Sequence, residues 1–275
     1  MKNILVPIDF SQCSKNAAGV AYLLAKRLGA KIHLLNCVDL PHNWENLSEA
    51  ERQKNEVAQE EIRKAKTRLV ELKRWYADAS VETVCTGPNL MASVQNYVSA
   101  NGIDLIVMGS HGASGKSEYF IGSNTQKVVR TVHCPVLVIK EPADDNLEWN
   151  KIVFASNFEE GEMESFLRFK DFIKHFVPEI HLVAIHTSPF DVPYPVQKEA
   201  MKPFEEACKP LVCKSHVYQD LSIDEGVRSF AKEIGADLIA ISNHERHPMK
   251  RMLIGSNVEM LVNHADLPVL TIDFE

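Results

Sequence analysis

Residues 105–140 read LIVMGSHGASGKSEYFIGSNTQKVVRTVHCPVLVIK, and the reading of this stretch decides the fold. Leu105 to Met108 is an apolar run of strand length. A glycine loop follows: Gly109, two residues, Gly112, nine residues, then Gly122-Ser123. Ser123 to Val132 has a helical pattern, with Val128, Val129 and Val132 on one face. Val136 to Ile139 is a second apolar strand. The unit is therefore strand, loop, helix, strand.

Such a unit favours an anion. Glycines after a strand let the backbone approach a ligand and take up positive φ. Gly122-Ser123 stands where the helix begins, so unpaired N–H groups and the positive dipole end converge there. Ser123 and Asn124 are placed to cap the helix or to touch a phosphate. The glycines alone leave two readings open, an anion site or a capped turn with no ligand. A P-loop is not one of them. Gly115-Lys116-Ser117 has the right ending, but the first glycine of that motif falls on Ser110, and the loop runs on through Tyr119 and Phe120.

The spacing Gly-x2-Gly-x9-Gly-Ser, followed by a helix and Cys134-Pro135-Val136-Leu137-Val138, resembles the ATP-binding signature of the universal stress protein family. The resemblance implies an adenine nucleotide alpha hydrolase-like α/β fold and a regulatory role in stress response, with ATP as ligand.

Composition agrees with a globular chain. The 275 residues are 45% hydrophobic and 24% charged, enough for one large domain or two ordinary ones. A formal charge of −7 argues against a nucleic-acid partner. Met1 to Ile8 is too short for a secretory signal, and Asp9 interrupts it. No apolar run reaches the ~18 residues of a membrane span. The six scattered cysteines read as reduced thiols, so a cytoplasmic location is expected.

Strands and helices alternate through the first half. Asn3 to Ile8 reads as a strand, with Ser11 or Ser14 capping a helix that Gly29 stops. Ile32 to Val38 and Val81 to Cys85 are further strands. Glu45 to Tyr76 is charged and helical, whole or broken near Ser48, with Val57, Ile62, Leu69 and Leu72 expected inward. Pro88 to Ala100 is expected to be a helix begun by proline. The alternation predicts an open five-stranded, mainly parallel sheet with helices on both faces. Ligands of such sheets bind beyond the carboxyl ends of the strands. Asp9, Cys37 to Asp39 and Gly109 all sit at those ends.

Asp9 is the acid expected in the site. It is suited to ribose hydroxyls or to a nucleotide-bound magnesium, and its plain alternative is capping the next helix. Pro7-Ile8-Asp9-Phe10-Ser11 is similar to the setting of an aspartate in universal stress proteins that bind ATP. By that resemblance, the backbone near Cys37 and Val38 meets adenine. Gly109, Gly112, Gly122 and Ser123 meet ribose and phosphates. Ser11, Met108, His111 and Asn124 complete the candidate set.

The pattern restarts after a polar linker, residues 141–150. Lys151 to Phe158 aligns with Lys2 to Phe10, allowing one residue of slack. Ile180-His181-Leu182 repeats Ile32-His33-Leu34, Ala236 to Ile239 repeats Ile103 to Ile106, and Leu267 to Ile272 repeats Cys134 to Ile139. Two tandem domains are expected, 1–140 and 151–275. The resemblance thus covers nearly the whole chain, but the second copy is altered. Asp9 becomes Asn157, Gly109 becomes Ser242 and Gly112 becomes Glu245, while Gly255-Ser256 persists. A glutamate beside a phosphate chain repels it, so ATP binding is expected in the first domain alone. Domains of this family commonly dimerise through the last strand. Val136–Ile139 and Val269–Ile272 are therefore expected to pair within one molecule as a pseudo-dimer, with further homodimerisation left open.

His244 and His247, Cys208, Cys213 and His216, and His133-Cys134 are metal-ligand types, yet no Cys-x2-Cys pair occurs, and zinc is not expected. Three function classes follow: a nucleotide-binding regulatory protein, which is the reading preferred, an ATP hydrolase or phosphotransferase, and a ligand-free interaction module. His111, Lys116, Ser117, Ser123 and Lys127 are near the motif, but none has a spacing that demands catalysis.

Overall fold

The computed structural model describes residues 1–41, 43–111, 121–144, 146–188, 191–242 and 257–272. The first lobe runs β1 (Asn3–Pro7), α1 (Gln12–Leu28), β2 (Lys31–Cys37), α2 (Glu49–Lys54), α3 (Glu56–Arg74), β3 (Val81–Thr86), α4 (Leu90–Asn101), β4 (Leu105–Gly109), α5 (Ser123–Thr131) and β5 (Val136–Ile139). The second runs β6 (Lys151–Ala155), α6 (Met163–Ile173), β7 (Glu179–His186), α7 (Tyr194–Cys208), β8 (Val212–Gln219), α8 (Ile223–Ile234), β9 (Leu238–Ser242), a helical segment over 257–264, and β10 (Val269–Ile272).

All ten strands form one sheet, ordered β3-β2-β1-β4-β5-β10-β9-β6-β7-β8. Pairing within each lobe is parallel, as the βαβ alternation requires. The lobes meet at one antiparallel pair, where Val269 faces Val138 and Thr271 faces Val136. Two buried apolar clusters, one on each face of the sheet, both run through the two lobes. The end of the linker stretch is anchored: Trp149 is buried and lies 4.5 Å, centroid to centroid, from Phe176.

Several local expectations are corrected. The repeat needs no slack. Phe10 and Phe158 share the left-handed conformation, at φ 65° and 58°, and the amides of Asn3 and Lys151 donate to Asp104 and Asp237 in the same way. Asn3 to Phe10 therefore matches Lys151 to Phe158 residue for residue. Val57 is 76% exposed. The inward stripe of α3 is Ala58, Ile62, Ala65, Leu69 and Leu72, at spacings of three and four, and Val57 falls off it. The Glu45–Tyr76 segment breaks twice, at Ser48, which forms a capping box with Glu51, and at Asn55, which caps α3. Pro88 lies ahead of α4, and Asn89 is the cap, accepting the Ala92 amide at 3.1 Å.

Helix α1 carries Ala17, Ala18, Ala21 and Ala25 on its buried side and lies tightly on β4. Helix α6 carries Phe166, Phe169 and Phe172 on its buried side and hardly meets β9. The size of these side chains sets how near each helix comes to its sheet. Gly109 is part of that difference. A Cβ there would come within 2.7 Å of the backbone of Cys13, so glycine is needed for the approach of α1. The matching Ser242 is accommodated and bonds Ser165 Oγ at 3.3 Å.

Candidate functional site

The strand ends of the first lobe open into a cleft of ≈ 760 Å³. It brings together Asp9, Cys37, Val38, Met108, Gly109, His111, Gly122, Ser123 and Asn124 from the candidate set. Gly112 lies outside the described residues. Ser11 does not line the cleft. It caps α1, accepting the Ser14 amide at 3.2 Å, and its hydroxyl donates to Asp9 Oδ1 at 2.6 Å. The Ser11 amide donates to the same oxygen at 3.0 Å. Ser11 thus orients Asp9, so the aspartate is held by local chain geometry at the end of β1.

Helix α5 begins at the cleft. Its cap residue is Gly122, at φ −62°, and no side chain caps it. Two expectations change here. Neither Gly109 nor Gly122 is among the residues with positive φ, so any residue could adopt the Gly122 backbone. Ser123 and Asn124 are the first residues of the helix and do not cap it. The first-turn amides and the positive dipole end therefore face the cleft, and among the described residues no side chain caps them. The loop is pinned on both sides. The Gly122 amide donates to Ser110 O at 2.7 Å, and Thr125 Oγ1 donates to Gly109 O at 2.8 Å. His111 Nδ1 lies 2.7 Å from Ser110 Oγ.

At the β2 end of the cleft, Cys37 Sγ lies 3.2 Å from Thr86 Oγ1, and burial pushes its thiol pKa up, which keeps it protonated and unreactive. The Val38 amide already donates to Thr86 O at 3.2 Å.

Sequence reasoning missed part of the lining. Asn89, Leu90 and Met91, at the start of α4, face the same cleft, as does Lys127 of α5, which the sequence already placed near the motif. The signal was present, since α4 also starts at the carboxyl end of a parallel strand. A second concavity of ≈ 500 Å³ shares Asp9, Cys37 and Asp39 and adds Lys64 and Arg68 from α3. Arg68 stacks on Phe10, its Cζ 3.9 Å from the ring centroid.

The second lobe keeps a cavity at the equivalent strand ends, but of ≈ 230 Å³. Asn157 stands where Asp9 does, and its Oδ1 accepts the Glu159 amide at 3.2 Å, repeating the turn without the charge. Ser242 replaces Gly109, and Glu162 replaces Ser14. Glu245, Gly255 and Ser256 lie outside the described residues, as do His244 and His247. Among the described residues, no three His, Cys, Asp or Glu side chains gather as metal ligands. No described helix is long and apolar enough to cross a membrane.

Comparisons with known proteins agree with this architecture. A universal stress protein of Methanocaldococcus jannaschii is 32% identical over 149 residues, which are 51% of this chain and 83% of that protein. One of Bacillus subtilis is 28% identical over 144 residues, 50% of this chain and 97% of that protein. Each is thus nearly spanned by half of the present chain. The crystal structure of a universal stress protein from Archaeoglobus fulgidus covers 98% of both chains with a TM-score of 0.74 and 18% identity, a likeness of fold. The model of the Universal stress protein family matches residues 1–140 and again 181–273. With two matched segments over most of its length, the chain belongs to the universal stress protein family.

Proposed function

We propose that the chain is an ATP-binding universal stress protein with a regulatory role in stress response, the nucleotide being held by the first lobe alone. The observation that carries this reading is the ≈ 760 Å³ cleft in which Asp9, the end of β2 and the uncapped start of α5 meet. Its volume is in the range of small-molecule sites, roughly 300–1,000 Å³. Adenine would lie by Cys37 and Val38, ribose by Asp9, and the phosphates at Gly122, Ser123 and Asn124. Lys127 is available to the phosphates. Magnesium needs one or two carboxylates besides the phosphates, and Asp9, with Asp39 beside it, meets that need. When bound, the ion would neutralise phosphate charge.

The lobes act as an intramolecular pseudo-dimer, with domains 1–140 and 151–275 and a linker between. The antiparallel β5–β10 pair and the two shared cores support this. A cytoplasmic setting accords with six free thiols. The test is mass spectrometry of the small molecule that co-purifies, followed by calorimetric titration with Mg-ATP. Binding lost on altering Gly122 but kept on altering the second-lobe cavity supports the reading. Absence of binding, with no rise in melting temperature, favours a ligand-free module. Release of phosphate would make it a slow ATPase.

A further inference from the structure

The second-lobe cavity has a chemistry of its own. Glu162 lines it and is only 6% exposed. Among the described residues its Oε2 has no hydrogen-bond partner. The ring nitrogen Nε2 of His186, on the same cavity, is also buried and without a partner. Other polar groups of the lining are engaged. Asp191 Oδ2 accepts the amides of Thr187 and Ser188 at 2.6 and 2.9 Å, and Gln197 Nε2 donates to Asn157 O at 3.1 Å. Buried polar atoms are nearly always paired, so two orphans on one cavity point to an absent donor.

We propose that this cavity is a second ligand site, specific for a small organic amine whose ammonium group sits between Glu162 and His186. An ammonium offers three donors and no acceptor, and both a carboxylate oxygen and an imidazole nitrogen can accept from it. Among the described lining residues there are two carboxylates, Glu162 and Asp191, and no lysine or arginine. These two carboxylates favour a cation over an anion. Ile185, Ile223 and Ile241 are among the apolar residues of the described lining and would take a ring or short chain. At ≈ 230 Å³ the cavity is below the size of drug-sized sites, which limits the body to about one ring. The site does not depend on ATP binding in the first lobe.

Binding is coupled to protons. Burial, with Glu159 nearby, pushes the Glu162 carboxyl up to about 7. The other titratable groups around it are His186 from β7 and Asp191 after it. The described lining from α7, α8 and β9 brings no charge. The amine stays protonated over this range, so its affinity rises as Glu162 ionises.

The test uses the full chain and 2-phenylethylammonium as probe, with phenylacetate as the anionic counterpart, by calorimetry at about pH 8 and about pH 5.5. The amine should bind and phenylacetate should not. Amine affinity should fall roughly 10-fold or more at the lower pH, and by a similar factor in Glu162→Gln at the higher pH. Glu162→Gln should also flatten the pH dependence. Ile223→Trp should fill the cavity and abolish amine binding, and Asp9→Asn should leave it unchanged. Equal binding of the two probes, no binding of the amine at either pH, or full affinity in Glu162→Gln would overturn the proposal. ATP titration of Glu162→Gln reports separately on the first lobe.

Discussion

The two lobes are built on one plan and differ at the mouth of the sheet. In the first, small residues on α1 and Gly109 bring helix and strand together, Ser14 is a small neighbour, and the cleft measures ≈ 760 Å³. In the second, phenylalanines hold α6 off, Glu162 and Ser242 occupy the mouth, and ≈ 230 Å³ remains. The two lobes share the scaffold, including the left-handed Phe10 and Phe158, while the side chains at the mouth differ. Even a scaffold position has drifted: Val177, at φ 51°, stands where Gly29 ends α1. The lesson is that a repeat fixes where a concavity lies, and a few side chains fix its size and charge.

The most severe way to break this comparison is at Gly109. Gly109→Val should cost about 3 kcal/mol or more in urea unfolding, because Cβ meets the Cys13 backbone at 2.7 Å. Ser242→Val in the other lobe should cost less, since α6 lies farther from β9. Equal costs would mean the helices do not differ in approach. It follows that Gly109 variants report on folding first and ligand second.

Glu162 supplies the next effect. Its pKa in the folded protein is raised to about 7, above its unfolded value near 4.5. The folded state then holds a proton that the unfolded state has lost, so stability declines as pH rises through that window. The loss is at most about 3 kcal/mol at pH 8. Glu162→Gln should remove it, raising the melting temperature at pH 8 and changing little at pH 4. A flat difference across pH would show that Glu162 ionises normally.

For the ligand itself, Gly122→Glu should lower ATP affinity roughly 100-fold with little loss of stability, since a carboxylate at the start of α5 suits the helix and opposes phosphate. Asp9→Asn should weaken ATP by about 10-fold, the scale of one charge-assisted hydrogen bond. Calorimetry on both variants checks these, and unchanged affinity in the pair would place the site elsewhere. The smallest effect crosses the lobes. Asn263 Oδ1 accepts the Ile121 amide at 2.5 Å, just before Gly122, and Lys140 Nζ donates to Asn263 O at 2.7 Å. Asn263→Ala should weaken ATP by about 3-fold through a looser loop. No change would leave the second lobe as a prop alone.

Strand and helix order, the internal repeat and the candidate residues at the strand ends were all legible in sequence, because they rest on local periodicity and on motif spacing. Asp9 and Asn157, or Gly109 and Ser242, could be matched by reading alone. The register of the repeat was less secure, since single residues of slack cost nothing until the Asp104 and Asp237 carboxylates tie down Asn3 and Lys151. Val57 was misplaced because a hydrophobic residue adjacent to a stripe looks like part of it.

What the sequence determined by itself, then, is the pair of α/β units and the place of an anion-favouring loop in the first of them. The pairing of the two last strands was expected from the family resemblance, whereas tertiary structure alone decided that Gly109 serves the approach of α1 and that the second mouth holds Glu162 and His186 with orphaned atoms. The physical reason is range. Periodicity and spacing act between near neighbours in the chain, whereas close approach, burial and an unpaired acceptor depend on residues brought together from distant segments.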